Sequence, residues 1–420
     1  MTAPTPRVLV VGAGLAGLRT AEALRAAGYA GELLVVGDEP WAPYNRPPLS
    51  KQSLRDGVEH AGLAFRPRSA TADVSWRLGA PVTGVDLAGR VATLADGTDL
   101  GFDALVAATG VSPRRLQVPG PAPAAAAGRH VVRTLDDAAA LRRRLTPDAR
   151  VVVVGAGFIG CEVAVTARAL GCAVSCVAVD AHPMLRPLGV ELAAELQRRH
   201  TALGIDFHLG TGVERLTGES VVTGVELSDG TELPADLVVE AVGSRPNTDW
   251  LDGHGLDLAD GVLTDVGLRP LVVDAAFGEP GPLRGVTVVG DLARFPNRRF
   301  SDAAYRVEHW STPTDTARRA AAVLVAELRD PDDTAVVDAS WETVPSFWSD
   351  QGAIRLQSYG MPGLAPPDGI RLLQGRLDDE CVVGYFCDDD LVGVVGLGLA
   401  GALAGFRTQV GRRFRLPALR

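Results

Sequence analysis

The sequence predicts an α/β fold: two Rossmann-like dinucleotide-binding domains and a C-terminal α+β domain. Three observations predict it. The stretch VLVVGAGLAG at residues 8–17 recurs as VVVVGAGFIG at 151–160, about 140 residues further on. In each copy a run of β-branched and aliphatic residues meets glycines and then an Ala/Leu-rich helical stretch, which is the strand, turn, helix order of a dinucleotide fold. From about residue 330 the pattern changes to short alternating strands.

Taken in order, the first unit opens on its strand and reaches Gly12, Gly14 and Gly17, a GxGxxG. The first glycine permits the tight turn, the second lets the backbone approach a pyrophosphate, and the third allows close helix packing, so phosphates meet amides at a helix N-terminus. The next strand, 33–36, runs into Gly37, Asp38 and Glu39. That places Asp38 within range for a carboxylate on an adenosine ribose hydroxyl, with a solvated loop acid as the alternative. A strand at 104–107 follows, then a Pro/Gly/Ala-rich connection at 118–128 that marks a boundary. The second unit repeats the turn with Gly155, Gly157 and Gly160. Its next strand, 174–177, meets its first acid only at Asp180, which leaves the choice between NADH and NADPH open. Strands at 237–242 and 286–289 and a connection at 278–285 complete the α/β part. The last part holds strands at 354–357, 382–386 and 391–395 and a helix near 402–410.

Composition narrows the function classes. A chain of 420 residues with 46% hydrophobic residues suits two or three domains and fills their cores. A formal net charge of -10 argues against broad attraction to nucleic acid or an anionic membrane. Residues 1–11 lack the apolar region of a signal peptide, and the apolar runs at 151–154 and 391–399 fall short of the roughly 20 residues of a spanning helix. A cytoplasmic protein is expected. The five cysteines, Cys161, Cys172, Cys176, Cys381 and Cys387, form no CxxC pair and have no histidines at zinc-ligand spacing. They read as buried thiols, and no metal site is expected.

Five further segments carry a resemblance: WAPYNRPPLSK at 41–51, LVAATG at 105–110, AVGSRPN at 241–247, VVGDLA at 288–293 and FWSDQ at 347–351. With the two glycine turns, they resemble the FAD-dependent ferredoxin reductases that serve bacterial cytochrome P450 and ring-hydroxylating oxygenase systems, of the putidaredoxin reductase and biphenyl dioxygenase reductase types. Apoptosis-inducing factor is a more distant relative. The resemblance covers nearly the whole chain; PYNRPPLSK and FWSDQ are specific, whereas LVAATG is shared by many flavoproteins. It implies FAD as cofactor, NADH or NADPH as co-substrate and a small iron–sulfur ferredoxin as partner. It also implies a discontinuous FAD domain, 1–117 and 245–328, an inserted NAD(P)H domain, 118–244, and a C-terminal domain, 329–420.

Residue by residue, the resemblance assigns Gly12, Gly14 and Gly17 to the FAD pyrophosphate, Asp38 to the adenosine ribose and Asp291 to the ribitol. Arg46 and Lys51 would offset phosphate and flavin charge. Thr109, Gly110, Arg114 and Gly243, from or beside the shared segments, join the cofactor-binding set, as do Gly155, Gly157, Gly160 and Asp180 on the nicotinamide nucleotide. Lys51 and Glu162 would pair beside the flavin and nicotinamide, and Trp310 would lie over the flavin near the partner surface, although an ordinary core tryptophan is equally compatible with the sequence. Disulfide reductases of this superfamily carry a CxxxxC where this chain has 43–51, and that stretch holds no cysteine. The chain departs from its relatives at Ala178, where they usually have a glutamate, at Ser311, Thr312 and Pro313 after Trp310, and at Ser346. Arg298, Arg299 and Arg306 are candidates for a positive docking patch on an acidic protein. Direct reduction of a small molecule such as a quinone, oxygen or nitro compound, or redox sensing, are the alternatives to ferredoxin reduction.

Overall fold

The structure is a computed structural model that describes residues 6–66, 68–332 and 334–413; the ends of the expected first and last domains, 1–5 and 414–420, lie outside the described residues. The chain divides into two compact units. One takes in the described parts of 1–45, 63–112 and 245–345, and the other those of 46–62, 113–244 and 346–420.

The first unit is organised by a five-stranded parallel sheet in the order Val286–Val288, Ala104–Ala107, Arg7–Val11, Glu32–Val36, Ser75–Arg77. Beyond Arg7 and Glu32 at their starts, its central strands are Val, Leu and Ala, buried except for half-buried Leu34, close to the composition expected when helices cover a parallel sheet on both sides. Val11 pairs with Val36 and with Ala107, and Ala107 with Val288. Four chain segments therefore leave the sheet along one carboxyl edge, where open α/β sheets bind ligands. Helix Leu15–Ala26 follows the first strand directly. It buries Leu18, Ala21 and Leu24, and shares a core with Ala320, Ala321 and Leu324 of helix Thr312–Arg329. Each fully buried leucine there contributes about 1.5–3 kcal/mol.

The second unit has its own parallel sheet, in the order Ile205–Leu209, Ala173–Ala178, Arg150–Val154, Leu237–Glu240, Arg129–His130. Helix Phe158–Ala169 follows the central strand. Residues 346–413 belong to this unit as an antiparallel sheet in the order Ser346–Gln351, Ile354–Gly360, Asp390–Leu397, Cys381–Cys387, Ile370–Gly375. Helix Ala400–Phe406 stands close to the expected position. The short segment Pro47–Ser50, a turn of 3-10 helix with proline at its start, joins this unit too.

Four of the five cysteines are buried and Cys387 is half-buried, all as free thiols. Burial pushes Cys176 up to about 12 and Cys161 well above the ordinary thiol value, so neither supplies a thiolate at neutral pH. Among the described residues no helix is long and apolar enough to cross a membrane, and no cluster of His, Cys, Asp and Glu is arranged to hold a metal ion.

Candidate functional site

The two glycine turns have the same local geometry. Gly12 and Gly155 both adopt left-handed φ, +119° and +104°. A Cβ on Gly12 would lie 2.9 Å from Thr109 N and closer still to the Ala108 carbonyl; on Gly155 it would lie 2.7 Å from Ala241 C and closer still to its oxygen. Gly14 and Gly157 cap their helices in extended conformation, φ -83° and -81°. Gly17 and Gly160 let each helix pass over the first glycine of its own turn: a Cβ would stand 3.1 Å from Gly12 C and 3.0 Å from Gly155 C. Each turn thus leaves a bare backbone facing the carboxyl edge of its sheet, with the first amides of a helix directed there.

In the first unit the other predicted residues gather at that edge. Asp38 follows strand Glu32–Val36, exposed, with its carboxylate accepting from Glu39 N at 3.0 Å. Thr109 and Gly110 follow strand Ala104–Ala107; Thr109 Oγ1 donates to Asn247 O at 2.8 Å and Asn247 Nδ2 returns a bond to Thr109 O at 2.9 Å. Asp291 sits in the turn after strand Val286–Val288. That turn is pressed against the first helix, since a Cβ on Gly290 would lie 2.9 Å from Ala16 Cβ. Gly290 N also donates to Thr316 Oγ1, which brings the start of helix Thr312–Arg329 beside Asp291. Trp310 is half-buried in the turn ahead of that helix.

The second unit places Asp180 just past strand Ala173–Ala178, behind an exposed Val179. Arg186 Nε stands 3.7 Å from Asp180 Oδ2. Sequence reasoning missed this arginine, which lies six residues beyond the acid. Gly243 follows strand Leu237–Glu240 with φ +101°, and its carbonyl accepts from Arg114 N, while Arg114 Nε donates to Ser244 O. Arg46 donates to Arg133 O at 2.8 Å.

Lys51 and Glu162 meet within the second unit. Glu162, on the first turns of helix Phe158–Ala169, is buried, and Lys51 Nζ lies 2.8 Å from its Oε2. Ser50 Oγ donates to the same oxygen at 2.5 Å, and Ser349 Oγ donates to Oε1 at 2.6 Å. Lys51 Nζ donates in addition to Pro47 O. A carboxylate out of water requires such a set of donors. The two serines were not legible as partners, because nothing in PPLSK or FWSDQ says which carboxylate they serve.

The arginine patch is smaller than expected. Arg298 is 71% exposed, with Asp302 at 3.8 Å. Arg299 and Arg306 are only 15% and 11% exposed. Arg306 is engaged by Asp260 at 2.7 Å and Glu308 at 2.5 Å, and Arg299 lies 3.9 Å from Glu342. Acids nearby in space but not in the expected patch neutralise both, so Arg298 alone of the three presents its charge to solvent.

The sequence model of the pyridine nucleotide-disulphide oxidoreductase family matches residues 6–311. Over 384 residues the chain is 35% identical to putidaredoxin reductase CamA of Pseudomonas putida, covering 88% of this chain and 86% of that one. Over 370 residues it is 34% identical to the ferredoxin–NAD(+) reductase component of the p-cumate 2,3-dioxygenase system of Pseudomonas putida, covering 88% and 84%. Among solved structures it is similar to the covalent putidaredoxin reductase–putidaredoxin complex, with TM-score 0.85, 31% identity, and coverage of 98% of this chain and 94% of that one.

Proposed function

Because the chain belongs to the pyridine nucleotide-disulphide oxidoreductase family, we propose that it is an FAD-dependent NAD(P)H reductase that passes electrons to a small iron–sulfur ferredoxin serving a cytochrome P450 or other oxygenase. The observation that carries this reading is the pair of equivalent glycine turns, each on its own parallel sheet, combined with the buried Lys51–Glu162 pair on the helix of the second. Relatives at 34–35% identity named as reductases of putidaredoxin and of a dioxygenase ferredoxin support the choice of acceptor.

The residues fit the groups. In the first unit, Gly12 and Gly17 pack against Ala108, Thr109 and the turn's own backbone where a Cβ would clash, so the turn brings bare backbone to a helix N-terminus at Gly14, and Asp38, Thr109, Gly110 and Asp291 offer polar groups along the same edge. These would hold FAD. In the second unit, a Cβ on Gly157 would meet nothing within 4 Å, which leaves room for the nicotinamide nucleotide's pyrophosphate, with Asp180 and Arg186 for its ribose. Bound FAD supplies acceptance of a hydride and release of electrons one at a time. Lys51 and Glu162 would orient the nicotinamide, and the Lys51 ammonium favours negative charge building up beside it. Arg46, Lys51, Arg114 and Trp310 are assigned to the cofactor by the resemblance. With an acid and an arginine both near the ribose position, discrimination between NADH and NADPH should be weak. Dependence on these reductants fits work in the cytoplasm.

The test is purification followed by turnover with candidate acceptors. The protein should be yellow with one FAD per chain, and a ferredoxin from the same source should accelerate NADH-driven cytochrome c reduction. Colourless protein that fails to take up FAD would reject the site. Acceleration by a quinone or nitro compound and by no ferredoxin would replace the acceptor.

A further inference from the structure

The FWSDQ motif lies on the strand that carries Ser349 to Glu162. Strand Ser346–Gln351 buries Phe347, Ser349 and Gln351 and leaves Trp348 and Asp350 half-buried. Two strand residues advance about 6.6–6.8 Å and four helix residues about 6.0 Å, so alternate strand side chains keep step with helix positions i and i+4. Phe347 packs edge-on against Phe158, ring centroids 4.8 Å apart, and two residues on Ser349 bonds to Glu162, four residues after Phe158. Beyond them a Cβ on Gly352 would lie 2.9 Å from Val165 Cγ1. The strand is seated along the helix at more than one point.

The hydrogen bonds in this stretch run one way. Gln351 Nε2 donates to Ser349 Oγ at 3.0 Å. A hydroxyl has one proton, and with a lone pair of Ser349 taken by the amide, that proton goes to Glu162 Oε1. Gln351 Nε2 is held in turn against Met184 Sδ at 3.2 Å. Among the described residues, Oε1 takes its hydrogen bond from Ser349, while Oε2 takes those of Ser50 and Lys51. The carboxylate is clamped from both ends.

We propose that Ser349 is a positioning residue: by holding Oε1 it fixes the plane of the Glu162 carboxylate, and so the place of the Lys51 ammonium, and sets the rate of hydride transfer without itself touching the coenzyme. This rests on the reading of Lys51 and Glu162 as the residues beside the reacting nicotinamide. A small shift of a residue that aligns reacting groups is expressed in the limiting rate rather than in ground-state binding.

Stopped-flow reduction of the bound flavin by NADH tests it on the holoenzyme, with wild type, S349A, S349T, E162Q and the E162Q/S349A double variant. E162Q should slow the limiting rate. S349A should slow it about tenfold, the lower end of what a hydrogen bond to a charged group is worth, with the NADH Kd changed by about twofold or less. S349T should recover most of the rate. In the E162Q background, S349A should add about twofold or less, because its route to the chemistry has been removed. Urea unfolding of the same proteins should show coupling between the two positions, a readout independent of turnover. An S349A rate equal to wild type while E162Q is slow, or an S349A effect carried undiminished into E162Q, would make Ser349 a packing residue and overturn the proposal. An E162Q enzyme as fast as wild type would remove the underlying reading of the pair as well. If S349A does not fold, S349C, with a weak thiol donor in the same volume, carries the same comparison.

Discussion

One methyl group placed at two glycines should separate the work of the two turns. At Gly12, alanine brings a Cβ to 2.9 Å from Thr109 N and closer to the Ala108 carbonyl, and the backbone φ is +119°. The left-handed conformation costs a non-glycine residue about 1–3 kcal/mol, and forcing backbone apart in a packed site costs about 1–3 kcal/mol more. Together, about 2–6 kcal/mol stands against a typical net stability of about 5–15 kcal/mol. Gly12→Ala should lower the melting temperature and yield protein with little bound flavin. At Gly157 the same methyl meets nothing within 4 Å, and φ is -81°. Gly157→Ala should fold, keep its flavin and lose only the open space on the second turn, raising the NADH Kd at least about tenfold, or about 1.4 kcal/mol. The ratio of flavin to protein absorbance, thermal unfolding and NADH titration of the two variants provide the check. Full flavin content and wild-type stability in Gly12→Ala would refute the account of the first turn, and unchanged NADH affinity in Gly157→Ala that of the second.

Three other perturbations have outcomes worked from the structure. Burial pushes His200 down to about 4 from its ordinary 6.5. Between those values the unfolded chain binds a proton that the native ring refuses, so this contribution to stability is present at neutral pH and lost as pH falls. On the order of 2 kcal/mol should go between pH 7 and 5; His200→Phe should flatten that part of the urea-derived pH profile, and an unchanged slope would show the ring is not responsible. Arg298→Glu should weaken ferredoxin-coupled cytochrome c reduction at low salt and spare ferricyanide reduction. Arg306→Glu should instead lower thermal stability, since it would set a third acid beside Asp260 and Glu308; a coupled rate unaffected by Arg298→Glu would move the docking face elsewhere.

The parts of this protein legible in the sequence are those in which local chemistry determines local shape. The strand at Arg7–Val11 and its turn follow from apolar valines and leucines running into glycines, and the strand ends at 107 and 178 fall within a residue of where composition places them. Three strands of the last part, at 354–357, 382–386 and 391–395, were legible from alternation, but not strands Ser346–Gln351 and Ile370–Gly375, nor the membership of any of them in the second unit, since alternation identifies a half-buried face without naming what covers it. Arg306 illustrates the same limit from the other side. Its charge is visible in the sequence, and the acid 46 residues earlier that neutralises it is not.

Glu162 shows why such a site resists reading even when every member is in view. Its neighbours come from residues 50 and 51 and from residue 349; the resemblance pairs Lys51 with Glu162, but over such separations nothing marks the two serine hydroxyls as belonging with them. What assigns Ser349 is the agreement of two periodicities, the two-residue step of strand Ser346–Gln351 and the four-residue step of helix Phe158–Ala169, which appears only once strand and helix lie side by side. The phenylalanine pair at 158 and 347 sets that register by packing, and the polar pair one step along inherits it. A substitution that disturbs the apolar contact should therefore disturb the carboxylate as well. Stability and alignment are coupled here because one strand supplies both the packing residue and the hydrogen-bond donor.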